Sequence, residues 1–159
     1  MDAITMQKIS SLVEWLKKDY LELRFEEAND FRWSPDEKTV WYCEEYENTE
    51  LLTLHELAHA VLEHETYDRD VELVRIEAEA WGYVKMTLAP RYEVMFDESI
   101  AEEQIDTYRS WLHERSKCPT CLCNGWQTAN GRYRCPSCQS EWKVAEAGKF
   151  NHIYRRRIK

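Results

Sequence analysis

His55-Glu56-Leu57-Ala58-His59-Ala60-Val61-Leu62-Glu63-His64 is the stretch that decides how this chain is read. Two histidines stand four positions apart, with a glutamate directly after the first. On an α-helix, positions four apart share a face, so both imidazoles can point at one ion. Leu51, Leu52, Leu54, Leu57, Val61 and Leu62 recur around them and supply burial. Neutral imidazoles among apolar neighbours need a partner, which weighs against two solvated histidines on an exposed helix. Zinc held by three protein ligands keeps an open position and lowers the pKa of bound water from about 15.7 towards about 7. Glu56 is then the catalytic candidate, placed to take a proton from water and pass it to a leaving amine.

The third ligand must come from downstream. Position 65, six residues after His59, is Glu65 rather than histidine. His64 lies about 140° around a helix from His59 and is expected to face solvent or a neighbour. A carboxylate on the next helix is therefore expected, from Glu72, Glu77 or Glu79. Glu77 shares a face with Leu73, Val74, Ala80, Trp81, Val84 and Leu88, whereas Glu79 lies on a more mixed face. A carboxylate on an apolar face is costly unless paired or metal-bound, which favours Glu77, with Glu79 as the alternative. Glu72 fits better as a helix-dipole glutamate.

Outward from this stretch, the pattern predicts an α+β chain. Residues 3–20 read as an amphipathic helix with Ile4, Ile9, Leu12, Val13 and Leu16 on one side. Residues 21–25 alternate with period two, and 31–33 and 39–46 read as two further strands joined by a turn at Ser34-Pro35-Asp36-Glu37. Thr49 is the expected N-cap of a helix running to about Glu63. A second helix is expected over 70–88, stopping before Pro90, and a third over 99–114 with Ile100, Ile105, Tyr108, Trp111 and Leu112 buried.

The 159 residues carry a net charge of −9, divided unevenly. Residues 1–115 hold 12 Lys/Arg against 28 Asp/Glu, a net of −16, and residues 116–159 hold 9 against 2, a net of +7. Together with the change of texture at Ser116, this predicts two domains, 1–115 and 116–159. Apolar stretches are too short for a membrane span, and residues 1–20 lack the apolar core of a secretion signal, so a cytoplasmic location is expected. Clustered cysteines there are more often metal ligands than disulfides.

Cys118-Pro-Thr-Cys121 and Cys135-Pro-Ser-Cys138 form two C-x-x-C knuckles separated by 13 residues. That spacing predicts a zinc ribbon, a structural site with four thiolates and no open position. Trp126, Tyr133 and Trp142 are its expected core, too small to fold by burial alone, so metal binding would supply the folding energy. Cys123 reads as a nearby free thiol and Cys43 as a small core residue. Two zinc ions are therefore expected, one catalytic and one structural. The ribbon is basic, and Arg132, Arg134, Arg155, Arg156 and Arg157 are candidates for nucleic-acid contact, with Tyr133 or Trp142 able to stack on bases.

The stretch 55–64, followed by Ile76-Glu77-Ala78-Glu79-Ala80-Trp81-Gly82-Tyr83 through Leu88 and Pro90, resembles the ImmA/IrrE family of zinc metallopeptidases. That family has H-E-L-x-H, then E-x-E-A-N-x-F-A-x-x-L-L-x-P. Tyr83 replaces the Phe and Trp81 replaces the Asn. The resemblance covers roughly residues 1–95. It implies a zincin-like, gluzincin-like metalloprotease domain: an N-terminal helix and a small antiparallel sheet packed on two metal-bearing helices. It also implies that strand 39–46 is the edge along which an extended peptide pairs, and a regulatory protein as substrate, often a DNA-binding repressor. The order of parts, a zinc ribbon after an H-E-x-x-H domain, is also similar to SprT-like proteases, which act on DNA-associated proteins. A non-enzymatic adaptor with two structural zincs, bridging protein and nucleic acid, is the third reading.

Overall fold

The computed structural model describes residues 3–145 and 155–157, with side chains described for residues 8–145. The chain is α+β, with two small sheets, and forms two compact units. The first comprises Met1–Glu65 and Ala78–Glu98, the second Thr66–Glu77 and Ser99–Lys159. The composition changes at Ser116, but the units part within a helix and near the start of the next.

In the first unit, helix α1 (Ala3–Asp19) buries Ile9, Leu12, Val13 and Leu16 and ends in Lys17 and Lys18, where the helix dipole favours cations. At its end Asp19 accepts hydrogen bonds from Tyr92 (2.7 Å) and Arg91 (3.0 Å). Three strands follow, β1 (Arg24–Glu27), β2 (Arg32–Ser34) and β3 (Thr39–Tyr42), in the order β1-β3-β2. β3 pairs parallel with β1, setting Val40 opposite Phe25, and antiparallel with β2, setting Val40 opposite Trp33.

Two expectations are corrected here. The sheet is mixed rather than antiparallel, and β3 is its central strand rather than an edge for a peptide. Alternation in the sequence tells which face of a strand is buried, not which strand lies beside it. β3 itself is buried at Thr39, Val40 and Tyr42, as a strand flanked on both sides should be. The first strand also starts later than expected. Leu21 is 85% exposed in a turn where the Leu23 N–H donates to the Tyr20 carbonyl. β3 stops at Tyr42, and Cys43 beyond it is half-buried.

Helix α2 (Thr49–Val61) begins one residue earlier than expected, with Thr49 inside the helix rather than capping it. Its N-cap is Asn48, in the left-handed region at φ 61°, and the Thr49 hydroxyl donates to the Cys43 carbonyl at 2.5 Å. Helix α3 (Asp70–Tyr83) does not stop before Pro90. It runs on through a π-helical turn (Val84–Leu88) into a last turn, α4 (Ala89–Arg91), with Pro90 among the first residues of α4. Proline lacks an N–H and crowds the carbonyl four residues back. The wider turn, closed by the Ala89 N–H on the Val84 carbonyl, absorbs that conflict.

In the second unit, helix α5 (Glu98–Ser116) buries Ala101, Ile105, Trp111 and Arg115, with Ile100, Tyr108 and Leu112 half-buried. Strands β4 (Trp126–Ala129), β5 (Arg132–Arg134), β6 (Glu141–Val144) and β7 (Arg155–Arg157) form an antiparallel sheet in chain order. Its core is Tyr133 stacked on Trp142, with Cys118 and Cys135. Trp126 is 47% exposed and is not part of that core, contrary to expectation. Gly131 turns the β4–β5 hairpin at φ 68°, and a side chain at Gly125 would overlap the Arg134 carbonyl and the Trp142 ring.

A buried ion pair ties this unit together. Arg115 Nε donates to Asp70 Oδ2 at 2.8 Å, and the Tyr133 hydroxyl donates to the same oxygen at 2.6 Å. The Asp70 N–H donates to Gln127 Oε1 at 2.8 Å, and Trp142 Nε1 donates to the Arg115 carbonyl at 3.0 Å. A buried pair persists only when further hydrogen bonds satisfy its remaining atoms, and here the ribbon supplies them. No described helix is long and apolar enough to cross a membrane.

Candidate metal centres

α2 carries His55 and His59 one turn apart on its buried face. Their Nε2 atoms lie 3.1 Å apart, the rings edge to face. Glu77 on α3, only 5% exposed, completes a group whose donor atoms all lie within 4.8 Å of one another. Zinc with Zn–N bonds of about 2.0–2.1 Å spaces two tetrahedral nitrogens about 3.3 Å apart, so the donor set suits such an ion. Two nitrogen lone pairs at 3.1 Å repel unless a proton or cation sits between them. Glu56 follows His55 and is half-buried.

The surroundings hold each ring differently. His55 stacks on the buried Trp81, with centroids 4.3 Å apart and planes 18° apart. Trp81 thus meets the His55 ring by its face. His59 Nδ1 lies 3.0 Å from His64 Nδ1, and His64 Nε2 lies 3.3 Å from Glu79 Oε2. Glu79, the alternative third ligand, is 44% exposed and pairs with His64, outside the three-donor group. Glu72 accepts the backbone N–H groups of Asp68 (3.0 Å) and Arg69 (3.4 Å) at the start of α3. Those two hydrogen bonds hold its carboxyl below the usual carboxylate range.

Local backbone geometry explains His64. The helical angle of 140° does not apply, because α2 ends at Val61 and Glu63 sits in the left-handed region at φ 56°. The Glu63 N–H bonds to the Ala60 carbonyl (3.2 Å) and the His64 N–H to the His59 carbonyl (2.9 Å). This is the Schellman pattern, which folds the second residue past the cap back onto the third-last helical residue. Here those two residues are His64 and His59. The usual signal, a glycine at position 63, is missing from the sequence.

The four cysteines form the second group, Cys118, Cys121, Cys135 and Cys138, with all sulfurs within 4.8 Å. Sγ of Cys118 lies 3.6 Å from that of Cys138, and Sγ of Cys121 lies 3.4 Å from that of Cys135. Zn–S bonds of about 2.3 Å give tetrahedral edges of about 3.8 Å, close to these spacings. The two knuckles repeat one hydrogen-bond pattern. Leu122 N–H meets the Cys118 carbonyl and Gln139 N–H the Cys135 carbonyl, while Cys118 N–H meets Cys123 and Cys135 N–H meets Ser140. Leu122 and Gln139, each directly after a second cysteine, both take positive φ, 67° and 64°. Hydrogen bonding to Ser140 holds the Cys138 thiol down to about 6. Cys123 is exposed and lies outside the group.

Arg132 and Arg134 are exposed on β5. Tyr133 between them and Trp142 are 2% and 0% exposed and face the ribbon's interior, so neither can stack on a base, contrary to expectation. Trp126, opposite Arg134 in the sheet, is an exposed aromatic there. Arg155, Arg156 and Arg157 form β7, with Arg156 opposite Lys143, and their side chains lie outside the described set. Comparison with family models, with curated proteins and with solved structures finds no match to this chain.

Proposed function

We propose that this chain is a zinc-dependent endopeptidase of the ImmA/IrrE kind, with a zincin-like catalytic part and a zinc ribbon that targets it. The single observation that carries the reading is the triplet His55, His59 and Glu77, three buried donors within 4.8 Å, with Glu56 directly following His55. Three ligands rather than four leave one position for chemistry. An ion bound there would supply Lewis acidity, polarising a peptide carbonyl and bringing water's pKa towards about 7.

His55 and His59 hold their ligand nitrogens towards one point, and Glu77 brings the negative charge that makes the site favour a cation. Glu56, ionised, accepts a proton from water as its oxygen attacks the peptide carbonyl carbon. The same carboxyl then donates that proton to the amide nitrogen as the C–N bond breaks, leaving an acid and an amine. The preferred substrate is a regulatory protein, a DNA-binding repressor in the first instance, and the expected location is the cytoplasm. The SprT-like reading has the same order of parts but expects a third histidine where this chain offers Glu77.

The ribbon's Arg132 and Arg134, exposed beside Trp126, support nucleic-acid contact as the targeting mode. The test combines metal analysis with turnover. Wild-type protein should hold two zincs and cleave a candidate repressor. Glu56→Gln should keep both zincs and lose about 10²–10⁴-fold in rate. Unchanged function in Glu56→Gln would favour the adaptor. A DNA affinity that does not fall with salt would remove the targeting role.

A further inference from the structure

We infer that His64 and Glu79 are positioning residues of the three-donor centre, acting through His59. The inference rests on the metal reading given above and deepens it. To offer Nε2 to a cation, neutral His59 must carry its proton on Nδ1. That nitrogen lies 3.0 Å from His64 Nδ1, which must then accept. Accepting at Nδ1 leaves the His64 proton on Nε2, where Glu79 Oε2 waits at 3.3 Å. A carboxylate only accepts, so it selects this tautomer of His64, and His64 in turn selects the metal-binding tautomer of His59.

The reverse direction of protons is disfavoured at the Glu79 end and leaves no place for a cation at the other. It would set a His64 lone pair against the Glu79 carboxylate. It would also aim the His59 proton at His55 Nε2, 3.1 Å away. The backbone fixes the relay independently of the side chains. The Schellman bonds after α2 hold His64 against His59, with the His64 side chain only 12% exposed. His55 has a stacked indole instead, so the two ligand rings are oriented by different means.

The test measures zinc affinity by competition with a chelator on the full chain, where the four-thiol site serves as the internal reference. His64→Phe fills the space but cannot accept, and should weaken the second zinc by about 10–100-fold while the four-thiol zinc is unchanged. His64→Gln can accept from His59 and donate to Glu79, and should stay within a few-fold of wild type. ¹⁵N shifts of the imidazoles in zinc-loaded wild type should place the His59 proton on Nδ1 and the His64 proton on Nε2. Two zincs in wild type with equal affinity in His64→Phe would overturn this inference alone, as would a Gln variant as weak as the Phe variant or a His64 proton on Nδ1. A wild-type chain that takes up one zinc only would overturn the three-donor centre, and this inference with it.

Discussion

The four-cysteine group and the His55–His59–Glu77 group solve the same problem from opposite ends. In the ribbon, the donors come from two short knuckles, and the core they share with the sheet is little more than Tyr133 stacked on Trp142. At the other group, the donors stand on helices α2 and α3, which bury Leu54, Leu57, Ala80 and Trp81. The first group has four donors and the second three. Where the metal must make the fold, every coordination position goes to protein. Where burial already makes the fold, three donors suffice, and on the proposed reading one position is left for chemistry.

That contrast predicts very different costs of losing the metal. Cys135→Ser removes a fully buried ligand and should cost on the order of 10 kcal/mol of metal-linked folding energy in the ribbon. Metal analysis should find zinc falling from two per chain to one, and near-UV circular dichroism should lose the signal of the buried Trp142. His55→Ala should also lose one zinc, yet keep the secondary structure. If either variant emptied both groups, the two would not be independent and the contrast would break.

Much of this was legible because it is local. H-E-x-x-H and C-x-x-C fix donor spacing within one turn or one knuckle, and the apolar face of α3 distinguishes Glu77 from Glu79 by helical angle alone. Non-local choices were not legible. The parallel pairing of β1 with β3 depends on a neighbour that alternation does not name. The Asp70–Arg115–Tyr133 cluster joins residues 45 and 63 apart; Tyr133 reads in the sequence as ribbon core, but nothing local ties it to Asp70 or Arg115. Pro90 pointed to a helix end, but a π-helical turn lets the helix pass it. His64 faces a neighbour, as expected, but which neighbour was not legible, because the helical angle does not extend two residues past the cap and no glycine marks the reversal.

The two units share a device that pH can separate. In each, a buried tyrosine donates to a carboxylate, Tyr92 to Asp19 and Tyr133 to Asp70. Burial first, then that hydrogen bond, raises both phenols above their usual value of 10.0. Above about pH 10 the unfolded chain releases these protons while the folded chain keeps them. Stability is therefore fully present below pH 10 and falls as pH rises beyond it, by up to about 1.4 kcal/mol per pH unit for each tyrosine. Denaturant melts of the zinc-saturated protein at pH 9, 10 and 11 should show the decline. Tyr133→Phe should cost about 1.5–3 kcal/mol at neutral pH, since a charged acceptor loses a donor. It should flatten the alkaline decline of the second unit only. A Tyr133→Phe protein with an unaltered alkaline slope would show that the ribbon's stability does not depend on this bond.

The smallest expected effect concerns the backbone both groups lean on. Leu122 and Gln139 close the knuckles, and Glu63 turns the chain that brings His64 to His59, all three at positive φ without being glycine. A non-glycine residue in the left-handed region costs roughly 1–2 kcal/mol, part of which glycine returns through the greater freedom of its unfolded chain. Glu63→Gly should therefore stabilise the protein by about 0.5–1 kcal/mol, raising Tm by a few degrees. Because the turn is unchanged and the Glu63 side chain is exposed, the affinity of the three-donor group for zinc should stay within about two-fold of wild type. A thermal melt and a zinc competition on the same sample separate the two quantities. A loss of zinc affinity with a higher Tm would mean that the strain at Glu63, and not merely the turn it makes, presses His64 against His59. The three-donor group would then resemble the knuckles in depending on its backbone as much as on its helices.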